Sequence, residues 1–437
     1  MQRMPSLPVN WSAIFWFPIL FALYACTSTA PHAPDEAKPA IIKVEEIEKP
    51  VPGAAGSETP ELPAPGGETA MPTEAGKEMP SPLAADDEKR VPPIYGDAST
   101  VPHIALLLPL KSESFGTAAE AVQMGFMAAA QAGAQGLSRE LPVRVYGSID
   151  ESSDIVALYR RAIAAGAQAV VGPLTRSGVS VLAAEQNIPV PTLALNIMEG
   201  RFAERLYFFG MMVEEEARQV AQLGRQQGLH QAIVIATRAQ LAKRLQFAFE
   251  EAWHGSGGTI LREIEFDNDP AVFADIFDLP DTAIFLAADA ENARLIRPYL
   301  SNQMPIYATS RVFPGNNDTL VNYDLNGIRF VDMPWLLQAD HPAVMIYPHA
   351  GQALSVDNER FYALGIDAYR LIRLLLTSRV DAALSLDGVS GDIRLNGHTF
   401  QRMAMRAVFA EGQAQTRNRP AAPALQVFPD QIIDNRE

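Results

Sequence analysis

A single cysteine, Cys26, serves all 437 residues. No intramolecular disulfide can form, and no cysteine cluster can hold zinc. Basic residues are also short: 35 Lys and Arg stand against 51 Asp and Glu, a formal net charge of -16. Phosphate binding needs a basic surface to release counterions, so nucleic acid is not expected as a partner. The seven histidines (His32, His103, His230, His254, His341, His349 and His398) include no HExxH pair and no close metal spacing. Neither a G-x-S-x-G elbow nor a Walker loop occurs. Gly255-Ser-Gly-Gly258 imitates a phosphate loop without its lysine and reads as a turn between helix and strand. Asp267-Asn-Asp269 begins like a calcium loop, but Pro270 follows and the other ligands are missing. No catalytic set, metal or cofactor is expected, and a divergent enzyme is the weakest functional reading.

What is present begins with the N-terminus. An apolar run from Trp11 to Leu23 follows a single charge, Arg3. At about 13 residues the run falls short of the roughly 20 needed to span a bilayer core. Residues 1–25 resemble a bacterial lipoprotein signal peptide, with Leu23-Tyr24-Ala25-Cys26 resembling a lipobox. Tyr24 and Pro18 depart from the usual pattern, and an uncleaved anchor helix is the other reading. The resemblance implies that Cys26 is lipidated. Thr27, in place of the aspartate associated with inner-membrane retention, implies the outer membrane.

Thr27 to Thr100 is a different polymer. Its 74 residues hold 13 of the 33 prolines, one aromatic (Tyr95), 14 acids and 6 bases. Such a segment cannot bury enough apolar area to offset its ordering entropy, so residues 26–100 are expected to form a disordered acidic tether. As a polyproline helix it would reach roughly 230 Å, and as a flexible coil about 50 Å.

The folded body is expected over 101–437. Its organising stretch is Ala169 to Asn196, which reads as strand, loop, helix and strand. Ala169-Val170-Val171 stops at Gly172-Pro173, and Thr175 or Ser177 can cap a helix carrying Val179, Leu182 and Ala183 at helical spacing. A right-handed crossover opens the loop after the first strand at the sheet's carboxyl edge, where open α/β sheets bind ligands. Before it, His103 to Pro109 reads as a strand buried on both faces, Gly116 opens a helix, and Asp150 or Ser153 caps another. A second alternating body follows Gly210, with Glu214, Glu215 and Glu216 where a helix start favours acid. The fold class is therefore α/β in two lobes, each a doubly wound, mostly parallel sheet: about 101–205 and about 206–326, plus returning segments.

His103 to Ala130 and Ala169 to Asn196 resemble the opening and third βα units of type I periplasmic binding proteins. Arg360 to Leu374, RFYALGIDAYRLIRL, resembles the late helix of the lipoprotein penicillin-binding protein activators, and Ser390 to Gly412 resembles their closing hairpin. The resemblance covers essentially everything after the tether. It implies a two-lobed binding-protein-like fold and a non-enzymatic outer-membrane lipoprotein whose partner is a bifunctional penicillin-binding protein, a regulator of peptidoglycan synthesis. Well-known members carry a helical-repeat domain before this one, and here the tether stands in its place.

The alternative is a periplasmic receptor for an amino acid or other small solute. Its candidate cleft residues are Ser112, Ser114, Thr175, Arg176 and Asn196 from the first lobe, with Arg238, Asp289 and Arg311 from the second. Hydroxyls and helix-start amides at Thr175 suit a carboxylate, and Asp289 an ammonium group. Helix caps and surface residues are the other reading of these eight.

Overall fold

The computed structural model describes residues 94–95, 101–133, 141–377 and 384–416. The signal peptide, Cys26 and nearly all of the tether lie outside the described residues. Residues 101–416 contribute two sheets within one unit.

The first sheet starts with β1 (Ile94–Tyr95) and β2 (His103–Leu108), followed by α1 (Gly116–Gly133), β3 (Val143–Gly147) and α2 (Glu151–Ala164). β4 (Ala167–Val171), α3 (Arg176–Ala183), β5 (Thr192–Ala194) and β6 (Leu206–Phe209) complete its first run. The chain then builds a second sheet: α4 (Val213–Gln226), β7 (Gln231–Thr237), α5 (Gln240–Gly255), β8 (Thr259–Phe266), β9 (Thr282–Ala287), α6 (Ala290–Ile296), β10 (Ile306–Ala308), α7 (Thr319–Asn322) and β11 (Ile328–Asp332). It returns through α8 (Pro334–Leu337), α9 (Val356–Thr377), β12 (Ser385–Asp387), β13 (Asp392–Asn396) and β14 (Thr399–Met403), and ends with β15 (Met405–Ala410) and β16 (Gln413–Thr416).

Among the described residues, nine strands form the first sheet in the order β1-β3-β2-β4-β5-β6-β14-β13-β12. Seven form the second, β16-β15-β11-β10-β9-β7-β8. Pairing is parallel except at the β12–β13–β14 edge of the first sheet and the β11–β15–β16 edge of the second. This is the type I periplasmic binding protein-like architecture.

The continuous apolar runs follow from two-sided burial. In β2, Ile104, Leu106 and Leu108 enter the core shared with α1 and α9, while Ala105 and Leu107 enter the core under α2 and α3. A strand covered on both faces has no solvent side and so shows no polar alternation. The helices α1 and α9 cross at Gly125 and Gly365. A Cβ on Gly125 would overlap the Tyr362 carbonyl, and one on Gly365 would overlap that of Val122, so only glycine allows this approach.

Three boundaries differ from the sequence expectation. The first sheet begins at Ile94–Tyr95, seven residues before Val101, because this pair adds a parallel edge to β3. Leu206–Phe209 hydrogen-bonds between β5 and β14 in the first sheet, so the second lobe starts at Val213 rather than 206, and β11 carries it to Asp332. The closing hairpin is divided. β13 and β14 close the first sheet, the chain crosses at Ala404, and β15 joins the second.

Candidate functional site

The loops after β2, β4 and β5 meet the start of α4 across the seam between the lobes. They enclose a cleft of about 380 Å³ lined by Phe115, Thr175, Arg176, Asn196, Met212 and Arg244, among others. Three of the eight candidates therefore meet in one cavity: Thr175, Arg176 and Asn196.

The remaining candidates lie outside this cavity. The Ser112 hydroxyl accepts from Phe115 N at 3.4 Å, a loop turn, and Ser114 is exposed. Arg238 pairs with Glu265 at 2.9 Å and Asp267 at 2.8 Å on the surface of the second lobe. Asp289 caps α6 by accepting from Asn292 N at 2.9 Å, and Arg311 pairs with Asp357 at 3.0 Å. The Asp267–Asp269 loop is likewise committed, Asp269 accepting from Ala271 N at 2.9 Å. No group of acidic, histidine or cysteine side chains able to hold a metal ion exists among the described residues.

The amides expected to hold a ligand carboxylate are occupied from within. Glu151, the first residue of α2 and 1 % exposed, accepts from Leu174 N at 3.1 Å and from Thr175 N at 2.7 Å. Thr175 caps α3, its hydroxyl accepting from Gly178 N at 3.1 Å. Burial pushes the Glu151 carboxyl up, against the pull of the Thr175 and Leu174 hydrogen bonds. Gly178 makes room for this arrangement, since a Cβ there would sit 2.6 Å from that of Glu151. The chain thus supplies its own carboxylate where a solute receptor would receive one.

Buried polar contacts tie the lobes together at the crossings. Arg360 of α9 donates to both oxygens of Asp332 at the end of β11, at 3.2 and 2.7 Å, and to the Ser310 and Phe313 carbonyls at 3.0 and 3.1 Å. Burial pushes the fully enclosed Asp332 carboxyl up, opposed by the Arg360 guanidinium. Glu216 of α4 accepts from Arg402 of β14 at 2.6 Å and from Ser310 N at 2.9 Å. Gln219 of α4 holds both backbone groups of Ala404, at 2.7 and 3.0 Å. Within the first lobe, Asp367 accepts from Val389 N, Ser390 N and the Ser390 hydroxyl, which fixes the loop entering β13.

These ties revise one expectation. Glu214 and Glu216 are buried, paired with Arg244 and Arg402, rather than simply favouring a helix start. Sequence reasoning missed Glu151, Asp332 and Asp367, whose partners lie far along the chain. Arg360 and Arg402 fall inside the two segments that carried the activator resemblance.

The LppC lipoprotein family model matches residues 97–282 and 280–406. The penicillin-binding protein activator LpoA of Pectobacterium parmentieri is 28% identical over 293 residues, covering 56% of this chain and 43% of that protein. The chain spans about half the length of the curated relatives it matches. Among solved structures, a protein of Chromobacterium violaceum described as a branched-chain amino acid ABC transporter is 36% identical with a TM-score of 0.61, covering 71% of this chain and all of that one. The C-domain of LpoA from Haemophilus influenzae, described as a regulator of PBP1A, is 25% identical with a TM-score of 0.59, covering 72% and 99%. By sequence over both lobes and by fold, this chain belongs to the LppC lipoprotein family.

Proposed function

We propose that this protein is an outer-membrane lipoprotein, anchored through Cys26, that activates a bifunctional penicillin-binding protein and so regulates peptidoglycan synthesis by protein contact. The observation that carries the reading is the match along nearly the whole LpoA C-domain. The geometry supports it, because Glu151 takes the Leu174 and Thr175 amides at the entry to α3, where a solute carboxylate was expected, and buried ion pairs hold the lobes at the crossings. A body built this way presents a fixed surface. It would raise synthase activity by contacting the active conformation more favourably than the inactive one, with no chemistry of its own. The acidic tether of residues 26–100 would let that body reach a synthase at a distance from the anchoring membrane.

The test is a cross-linking assay with the cognate synthase, with and without the protein. Stimulated transpeptidation is expected, and an unchanged yield counts against activation. Calorimetry with free amino acids addresses the receptor alternative, for which submicromolar binding would be the signature.

A further inference from the structure

Beside the cleft lies a larger cavity of about 670 Å³ that shares Arg176, Met212, Glu214 and Arg244 with it. α3 and the loop after β5 form one wall, and α4 with α5 the other. Its charges fall into two sets. On the second lobe they are satisfied internally: Arg244 pairs with Glu214, Arg218 with Glu215 at 2.8 Å and Glu251 at 3.0 Å, and Lys243 reaches Glu265 at 3.4 Å. On the first lobe, Arg176 and Glu199 have no hydrogen-bond or ion-pair partner among the described residues. Between these charges in the chain, Met198 adds apolar surface, and Phe247 faces the cavity from α5. Phe247 is 67% exposed although Leu245, Ala248 and Phe249 around it are buried, so nothing in the fold covers this ring.

We infer that this cavity binds a short peptide bearing a free carboxylate, a free ammonium group and an apolar side chain. Arg176 offers the forked donor geometry suited to a carboxylate, and Glu199 the acceptor for an ammonium. The Phe247 ring and the Met198 thioether supply an adaptable apolar surface. The volume falls in the range of sites for drug-sized ligands, larger than a free amino acid fills. The carboxylate handle is thus Arg176, one residue beyond the amides that Glu151 closes. Because the walls come from different lobes, a bound peptide bridges the seam. Peptide binding here stands or falls independently of synthase activation.

The experiment is titration calorimetry on the full chain with the tripeptide Ala-Phe-Ala, its N-acetylated form and its C-terminal amide. Saturable binding of the free tripeptide is expected, and each blocking group weakens it at least tenfold, which is about 1.4 kcal/mol. Arg176→Gln removes the penalty for amidation and keeps that for acetylation, while Glu199→Gln does the reverse. Both side chains are exposed and unpartnered, so these variants keep the fold. Absence of saturable heat with the free tripeptide overturns the inference, as does equal binding of all three forms. Variants that keep both blocking penalties at the size seen in the natural chain show Arg176 and Glu199 to be ordinary solvated surface charges, and overturn it too.

Discussion

Replacing Arg360 by methionine removes the guanidinium that compensates Asp332 and leaves the methylene stem in place. Asp332 is 0% exposed and keeps only the Met333 amide, at 2.8 Å, of its present partners. Breaking one side of a buried pair costs about 3–5 kcal/mol, because the remaining charge stays desolvated. For a body of this size, 1 kcal/mol moves the melting temperature by roughly 2 °C, so Tm falls by roughly 6–10 °C. The double variant Arg360→Met, Asp332→Asn is expected to recover at least half of that loss, since an amide has no charge to desolvate and can donate to the freed Ser310 or Phe313 carbonyl. A pH signature accompanies this. Without Arg360, burial is opposed only by the Met333 amide, and the folded Asp332 pKa rises further above its unfolded value. The folded state then gains from protonation, so the deficit is full at neutral pH and shrinks on acidification. Scanning calorimetry at pH 7 and pH 4.5 measures both effects. A Tm loss below about 2 °C, or a double variant worse than the single one, refutes the reasoning.

Gly178→Ala places a methyl 2.6 Å from the Glu151 Cβ and displaces its carboxylate, stranding the Leu174 and Thr175 amides. A loss of about 1–3 kcal/mol per stranded group is expected, with faster hydrogen exchange at those two positions. Gly365→Ala forces α9 away from Val122 and costs about 1–3 kcal/mol or more through overpacking, read from urea unfolding. Although burial pushes the Asp357 carboxyl up, Arg311 and Arg360 together hold it below its usual range. Its contribution is therefore present at neutral pH and lost as pH falls through the lowered value, so Asp357→Asn should be less stable than the natural chain at pH 7 and converge with it in acid. Cys26→Ser is expected to move the protein from the membrane fraction to the soluble one; retention with the membranes argues against lipidation.

The alternation of strands and helices was legible because a parallel sheet covered on both faces must be written in apolar runs, as in β2 and β9. Thr175, Arg176 and Asn196 were legible as cleft residues because crossover handedness fixes which loops open at the carboxyl edge. Arg238, Asp289 and Arg311 follow strands in the same way, yet local carboxylates or their own helix starts claim them. A sequence read in order shows that a loop is available, not that its side chains are already satisfied. Glu151 illustrates the limit: beside Asp150 it looks like a first-turn acid, and only folding carries it to a turn 23 residues on. The division of the closing hairpin was hidden too: Ser390 to Gly412 resembles a single hairpin, and only the pairing of β15 with β11 assigns its last part to the second sheet.

The three passages of the chain between sheets have a consequence for dissection. Cutting the chain at Gly210, Met333 or Ala404 divides strands of at least one sheet between fragments, and at Gly210 or Met333 it does so for the first. A protease nicking the seam would therefore release fragments with exposed edges rather than an intact half. Neither half can be expressed as an uninterrupted stretch of the gene, and isolating one would require removing the intervening stretch and joining its pieces directly.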